Sequence, residues 1–337
     1  MDSRCFSKHT QKYCFLVVLF IVSTILASAQ VAPVQISSKR NTDNSYSFNY
    51  KKNRAGTYYV SVKFKNLENA LLSSFSGTVD AYVGTLFTIQ PIVRSKPVRF
   101  ESYSISFTKG NPEKTPDESF VYLLPYPKGE ERSLFYLSNL REKYFKEKPS
   151  TDFKSFAFES NDYDTVCAIR KGIVVEIEDK YDMDTTLYKS YTSYINAIQI
   201  EHADGTIASY KGFRKDGIFV REGDVVLPHD RLGVLSKYDA RKKHVLRLQI
   251  FYTTKKTDEI NNQNPDTLIR NRSFETRYID PFFLSSEGVS RLQNKSKYKS
   301  NITESHYTKE LNRKELRVFD KNKINLADYL NPVLSLH

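Results

Sequence analysis

The segment KKHVLRLQIFY, Lys242–Tyr252, sets a histidine at the head of an alternating run. Alternation with period two marks a half-buried strand. A histidine leading into such a strand is a common place for a metal or catalytic site. The partners a site needs are not beside it in the sequence. Whether the stretch is a working site, a former one or an ordinary strand therefore depends on what the rest of the chain supplies.

The chain has 337 residues, room for two or three domains and a sizeable core. It carries 23 Tyr and 22 Phe but no Trp. Tyrosine-rich alternating segments suit half-buried strands, because the ring packs while the hydroxyl reaches water. Glycine and proline stop at 12 each, which excludes a collagen-like or low-complexity chain. The composition is that of a globular, β-rich protein.

Residues 1–29 read as an export signal. Arg4, Lys8 and Lys12 give a positive start, Cys14–Leu26 is apolar, and Ala27-Ser28-Ala29 offers small residues for cleavage before Gln30. The run is short for a spanning helix, which needs about 20 apolar residues, and no later segment is long and apolar enough to cross a bilayer. The expectation is an exported protein, periplasmic or extracellular, with no transmembrane span after cleavage. Cys5 and Cys14 leave with the signal, so Cys167 is the lone cysteine of the mature chain. In its apolar setting, TVCAI, it reads as a packing thiol. Loss of Arg4, Lys8, Lys12 and Asp2 lowers the formal charge from +12 to +10. That charge favours anionic surfaces such as cell-wall polymers or lipids, or merely keeps the surface soluble. Export makes nucleic acid the least favoured partner.

The expected fold class is mainly β, in three parts after the signal. Residues 30–145 hold SYSFNY, TYYVSVKF, GTLFTIQPIV, RFESYSISF and SFVYLLPY, separated by turns such as NRAG and KGNPEK. They are read as an antiparallel β-sandwich-like domain. Residues 146–255 form a second antiparallel β unit after a charged linker around Pro149, with Asp204-Gly205 as a hairpin signal and Gly223-Asp224 as a tight turn. Residues 256–337 are a polar, basic extension, expected at the surface or partly disordered, with a weak amphipathic helix at 306–320. Asp179, Asp182 and Asp184 lack the glycine and glutamate of a calcium loop and read as solvated. Asn271, Asn294 and Asn301 match the glycosylation sequon.

The order of elements from about 153 to 255 resembles the LytM/lysostaphin-type peptidoglycan metallo-endopeptidases. A first strand runs through Ala168, Gly172, Val174 and Val175. Tyr194-Ile195-Asn196 follows, then Glu201-His202 and the turn Ala203-Asp204-Gly205. Tyr210-Lys211-Gly212-Phe213 stands where the family has Tyr-x-His-Leu. Val220–Val226 keeps the family's V-x-x-G-D-x-V, and Val245-Leu246-Arg247-Leu248-Gln249 aligns with H-L-H-F-E. The resemblance implies a compact antiparallel β unit with a groove along one sheet. V-x-x-G-D-x-V also occurs in biotinyl and lipoyl carriers, but the lysine-bearing hairpin tip of a carrier is missing.

In that family two histidines and an aspartate hold zinc and leave a position for the attacking water. The first two belong to an H-x-x-x-D pattern before the first strand. No mature residue before 202 is histidine, and the nearest acids, Asp152 and Glu159, have none four residues earlier. Arg247 replaces the third ligand, and a guanidinium has no lone pair to offer. Val245 and Gly212 replace two catalytic histidines. The mature chain keeps His202, His229, His244, His306 and His337, and its lone turn and edge histidines read as exposed structural residues. Arg247 either pairs with a carboxylate such as Glu159, holding the groove together, or snorkels from an edge strand among Arg241, Lys242 and Lys243.

The degenerate groove is thus marked by Glu159, Tyr210, Gly212, Val245 and Arg247, with no catalytic residue and no zinc expected. The leading expectation is an exported, non-catalytic module that binds peptidoglycan or an envelope protein such as a cell-wall hydrolase. The alternative is a zinc-dependent endopeptidase whose metal set has diverged to use His202, His229 or His244.

Overall fold

The computed structural model describes residues 32–137, 152–182, 194–237, 243–256 and 274–329. Residues 1–29, read above as an export signal, the linker segment up to residue 151, Asp184 and Asn271 lie outside the described residues. The chain is mainly β and its sheets are almost wholly antiparallel, as the composition and alternation imply. Among the described residues no helix is long and apolar enough to cross a membrane.

Six strands come first: β1 (Val34–Arg40), β2 (Tyr46–Lys52), β3 (Tyr58–Lys65), β4 (Ser74–Val79), β5 (Val83–Ile89) and β6 (Ser102–Lys109). They make two three-stranded sheets, β1-β2-β5 and β4-β3-β6. Alternate residues close a shared core of Val60, Val62 and Val79 from one sheet with Val34, Ile36 and Phe87 from the other. Phe48 is fully buried and stacks on Phe87 at 4.7 Å between centroids. This is the expected sandwich, with aromatic rings doing the interlocking.

The next strands are β7 (Val121–Leu123), β8 (Glu131–Tyr136), β9 (Phe156–Ser160), β10 (Thr165–Cys167), β11 (Gly172–Glu178), β12 (Asn196–Glu201), β13 (Ile207–Ile218), β14 (Val225–Val226), β15 (Arg231–Leu235) and β16 (His244–Lys255). Four more follow: β17 (Phe274–Tyr278), β18 (Phe282–Ser285), β19 (Gly288–Arg291) and β20 (Lys297–Lys299). One 11-stranded sheet runs β14-β11-β12-β13-β16-β9-β8-β20, with β10, β15 and β17 attached beside it. It extends past residue 146 in one direction and past 255 in the other: β8 pairs with β9, β20 with β8, and β17 with β16. Among the described residues the exception to antiparallel pairing is β18 with β7.

The hairpin between β12 and β13 forms as its Asp-Gly signal dictates. His202 N donates to Thr206 O, Gly205 N donates to His202 O, and Gly205 takes φ +85°, which a side chain would resist. Asn196 is fully buried and saturated: its Oδ1 accepts from Lys180 N and Tyr181 N, and its Nδ2 donates to Tyr181 O and Phe213 O. The tight turn at Gly223-Asp224 is stitched to β11, with Gly223 N donating to Val174 O and Val174 N to Asp224 O.

Two helices close the described chain, α1 (Glu304–Thr308) and α2 (Arg313–Tyr329). A capping box starts α2. Asn312 Oδ1 accepts from Lys314 N and Glu315 N, while Glu315 Oε2 accepts from Asn312 N. The surface position expected for this segment is corrected by its packing: Tyr307, Leu311 and Phe319 are buried with Leu123, Leu284 and Ile302. The apolar residues are too sparse in the sequence to show a continuous stripe, yet each meets a partner from a distant strand.

Candidate functional site

Side chains alternate across a strand, so β16 sends Leu246, Leu248 and Ile250 into the main core and Val245, Arg247 and Gln249 to the other face. Each fully buried leucine or isoleucine contributes roughly 1.5–3 kcal/mol, which fixes the register because a one-residue slip would bury the polar set instead. Strand pairing then carries that outer face across the sheet in rows. The central row is Glu178, Ala197, Lys211, Arg247, Ala157 and Phe135, each directly opposite the next. On one side lies the row Val245, Glu159 and Ser133; on the other, Glu176, Gln199, Ser209 and Gln249. Of the two alanines flanking the cations, Ala157 is buried in the cluster with Val245 and Ile195.

Val245 packs with Ala157 and Ile195 and with half-buried Phe135, Leu137 and Tyr181. The rings of Tyr181 and Tyr194 lie 5.4 Å apart, tilted. Glu159 is buried, and Lys243 Nζ stands 3.6 Å from its Oε2. Burial pulls the Lys211 pKa below the usual lysine value, and the charge of Arg247 adds to the effect, while Glu178 and Glu176 oppose it.

Three of the five marked residues, Glu159, Val245 and Arg247, therefore share one face. Tyr210 does not. It faces the core, fully buried, and its hydroxyl accepts a hydrogen bond from Ile169 N at 3.0 Å. Gly212 forms a bulge with φ +120°: Ala197 pairs with Lys211, Asn196 pairs with Phe213, and the glycine between them is the extra residue. The idea that Arg247 snorkels from an edge is corrected, since β16 lies between β13 and β9 in the middle of the sheet. Directly opposite Arg247 stand Lys211 and Ala157, with Glu159 opposite Val245.

In this row Arg247 and Lys211 are cations, Ala157, Ala197 and Phe135 have no side-chain donor atom, and Glu178 supplies the row's carboxylate. Among the described residues no group of three or more His, Cys, Asp or Glu could hold a metal. Asp179 Oδ1 accepts from Asp216 N at 3.1 Å. Cys167 is buried, and burial pushes its thiol up to about 12, which keeps it protonated.

The exposed positions expected for His202 and His229 are corrected, because both are buried. His202 Nδ1 faces the carbonyl of Lys171 at 2.8 Å and so donates to it; burial, then the charge of Arg170, hold the pKa down and favour the neutral ring. His229 sits at φ +72°, and its Nε2 accepts from Lys128 N at 3.0 Å. Burial lowers its pKa to about 4, with Arg231 and Lys128 adding to the effect. His244 is half-buried at the start of β16, opposite Ser160.

Sequence reasoning did not reach Lys211, Gln199, Ser209 and Gln249. The signal was present in the alternation of β13 and β16 for Lys211, Ser209 and Gln249, while Gln199 of β12 joins them as the cross-strand partner of Ser209. Nor did it reach Arg170, whose guanidinium lies 3.6 Å from the Phe120 ring centre and pairs with Glu310 and Asp204.

No family model matches this chain, and neither does any curated protein. Several solved structures resemble it at low identity. One is the SpoIIQ–SpoIIIAH pore-forming complex, with 16% identity over 39% of this chain and 84% of that chain, at a TM-score of 0.24. Another is the M23 metalloprotease pseudoalterin from the deep sea, with 14% identity over 55% of this chain and 96% of that chain, at 0.28. A third is Csd3 of Helicobacter pylori, with 10% identity over 90% of this chain and 79% of that chain, at 0.26. At these TM-scores none of them decides what this chain does.

Proposed function

We propose that this protein is an exported, non-catalytic LytM-like module. The sheet face centred on Arg247 binds peptidoglycan or an envelope protein such as a cell-wall hydrolase. The observation that carries the reading is Arg247 directly opposite Lys211, in the centre of the face, where the resemblance places a zinc ligand. Two fixed positive charges repel a dication and offer it no lone pair. The same groups present a fork of guanidinium N–H donors and an ammonium, which suit a ligand rich in carboxylates and carbonyls. The intact hairpin and the Gly223-Asp224 turn keep the scaffold while the chemistry of its groove has changed. Export, read from residues 1–29, puts such a ligand within reach.

Co-sedimentation with purified peptidoglycan sacculi, run beside an assay for released muropeptides, tests this. Pelleting without release is the expected result. Release of soluble muropeptides overturns the reading, and neither pelleting nor release moves the ligand from peptidoglycan to a protein partner.

A further inference from the structure

The sandwich, the large sheet and the C-terminal segment meet around one concavity. The sandwich lines it with Lys52 and Tyr82, the sheet with Lys171, Ile173 and Val225, and the C-terminal segment with Asn312 and Glu315. Its volume is about 580 Å³. Small-molecule sites span roughly 300–1,000 Å³ and favour the boundaries between domains.

Part of the wall is apolar and open to water. Ile173 of β11 and Val225 of β14 stand directly opposite each other, 43% and 57% exposed. Tyr82, also 57% exposed, lines the same cleft, with Lys52 Nζ 5.5 Å from its ring centre. Single exposed apolar side chains are ordinary on a protein surface. Three around one concavity make a surface that gains by being covered.

The charged groups of the cleft are already engaged. Lys171 Nζ donates to Glu315 Oε2 and to the carbonyl of Glu310, whose carboxylate holds Arg170. Lys52 donates to the carbonyls of Gly56 and Asp80, Lys114 to Ala203 O, and Glu201 accepts from Thr57 N. An ionic ligand would have to break such a pairing to gain a partner of its own. A hydroxyl group need not. A carboxylate has roughly four lone-pair sites and an ammonium several donors, so one hydroxyl can donate to the first and accept from the second while the pair stays intact. A peptide gains most from an open strand edge. Ile173 is paired on both sides, with Glu201 of β12 and Val225 of β14, so the wall it forms is not such an edge.

We propose that this cleft binds a neutral saccharide. Tyr82, Ile173 and Val225 pack against the C–H face of a sugar ring, and the Lys171–Glu315 pair with Asn312 takes its hydroxyls. The site is separate from the Arg247 face, and its occupancy does not depend on what that face binds.

Calorimetric titration of the full mature chain with four probes tests this. Two are neutral trisaccharides, N,N′,N″-triacetylchitotriose and cellotriose; the others are tri-galacturonate, which is charged, and N-acetyl-trialanine amide. At least one neutral trisaccharide binds, and at least about tenfold more tightly than the charged saccharide or the peptide. Tyr82→Ala weakens that binding by about tenfold or more, while Tyr82→Phe, which keeps the ring, stays within about twofold. Because Tyr82 is exposed, its replacement by alanine leaves Tm within about 2 °C of wild type. In the unaltered protein the same trisaccharide shifts the amide NMR signals of Ile173 and Val225, which locates binding without any substitution.

Binding of neither neutral trisaccharide at about 10 mM overturns the inference. So does equal or tighter binding of the peptide or of tri-galacturonate, wild-type affinity in Tyr82→Ala, or shifts that spare Ile173 and Val225.

Discussion

At the residue scale, His229 shows how a turn can bury a group that its sequence context suggests is exposed. Its ring is buried, and Nε2 accepts the N–H of Lys128, which requires the neutral form. The folded pKa, about 4, lies below the ordinary value of 6.5. As pH falls from about 6.5 towards 4 the unfolded chain takes the proton first, so stability present above that window is lost through it. His229→Gln has no such titration. Urea unfolding at pH 7 and pH 4 shows wild type losing more than His229→Gln, by roughly 3 kcal/mol; equal losses contradict the assignment. Arg247 and Val245 were legible as replacements because the resemblance supplied their alignment. Lys211 was not, since its neighbours Tyr210 and Gly212 drew the comparison. Only the pairing of β13 with β16 shows that Lys211, and not Tyr210, shares the face of Arg247.

At the element scale, strong local signals were sufficient. Asp204-Gly205 and Gly223-Asp224 form the turns expected, and the alternating segments of β2, β3, β5 and β16 are strands. VQISSKR in β1 and SFSGTV in β4 carry too few apolar residues to stand out, and they become strands by pairing with β2 and β3. The C-terminal segment is held by another long-range device. Arg170, buried against Phe120, donates from Nε and Nη2 to Glu310 at 2.9 and 2.7 Å and from Nη1 to Asp204 at 2.8 Å. Removing one partner of a buried pair leaves an uncompensated charge and costs several kcal/mol, roughly 3. Glu310→Ala therefore lowers the Tm and exposes 304–320 to limited proteolysis. Cleavage and Tm unchanged from wild type would remove the clamp from this account.

At the scale of the whole molecule, composition and alternation were enough to read a mainly antiparallel β protein. They could not show which strands join one sheet, because pairing partners are distant in the chain and alternation does not name them. β8 and β20 add to the same sheet as β16, although their paired residues Ser133 and Lys297 stand far apart in the chain. The sandwich docks against that sheet through carboxylates of the second unit. Glu201 accepts from Thr57 N at 2.7 Å, and Glu222 accepts from Ala55 N at 2.9 Å and from Arg54 at 2.8 Å. Between them lies a cleft of about 580 Å³, lined by Lys52, Gly56, Lys171, Glu201, His202 and Glu310 among others. Lys109 of β6 reaches Glu176 and Gln199, so the sandwich also borders the far end of the Arg247 face. The sheet is built, and what distinguishes it is a pair of opposed cations, Lys211 and Arg247, in the row where the resemblance implies metal ligands. The most direct measurement is metal content after the mature protein is saturated with zinc and desalted. Substoichiometric zinc is the result this account predicts, and stoichiometric, tightly held zinc would contradict it.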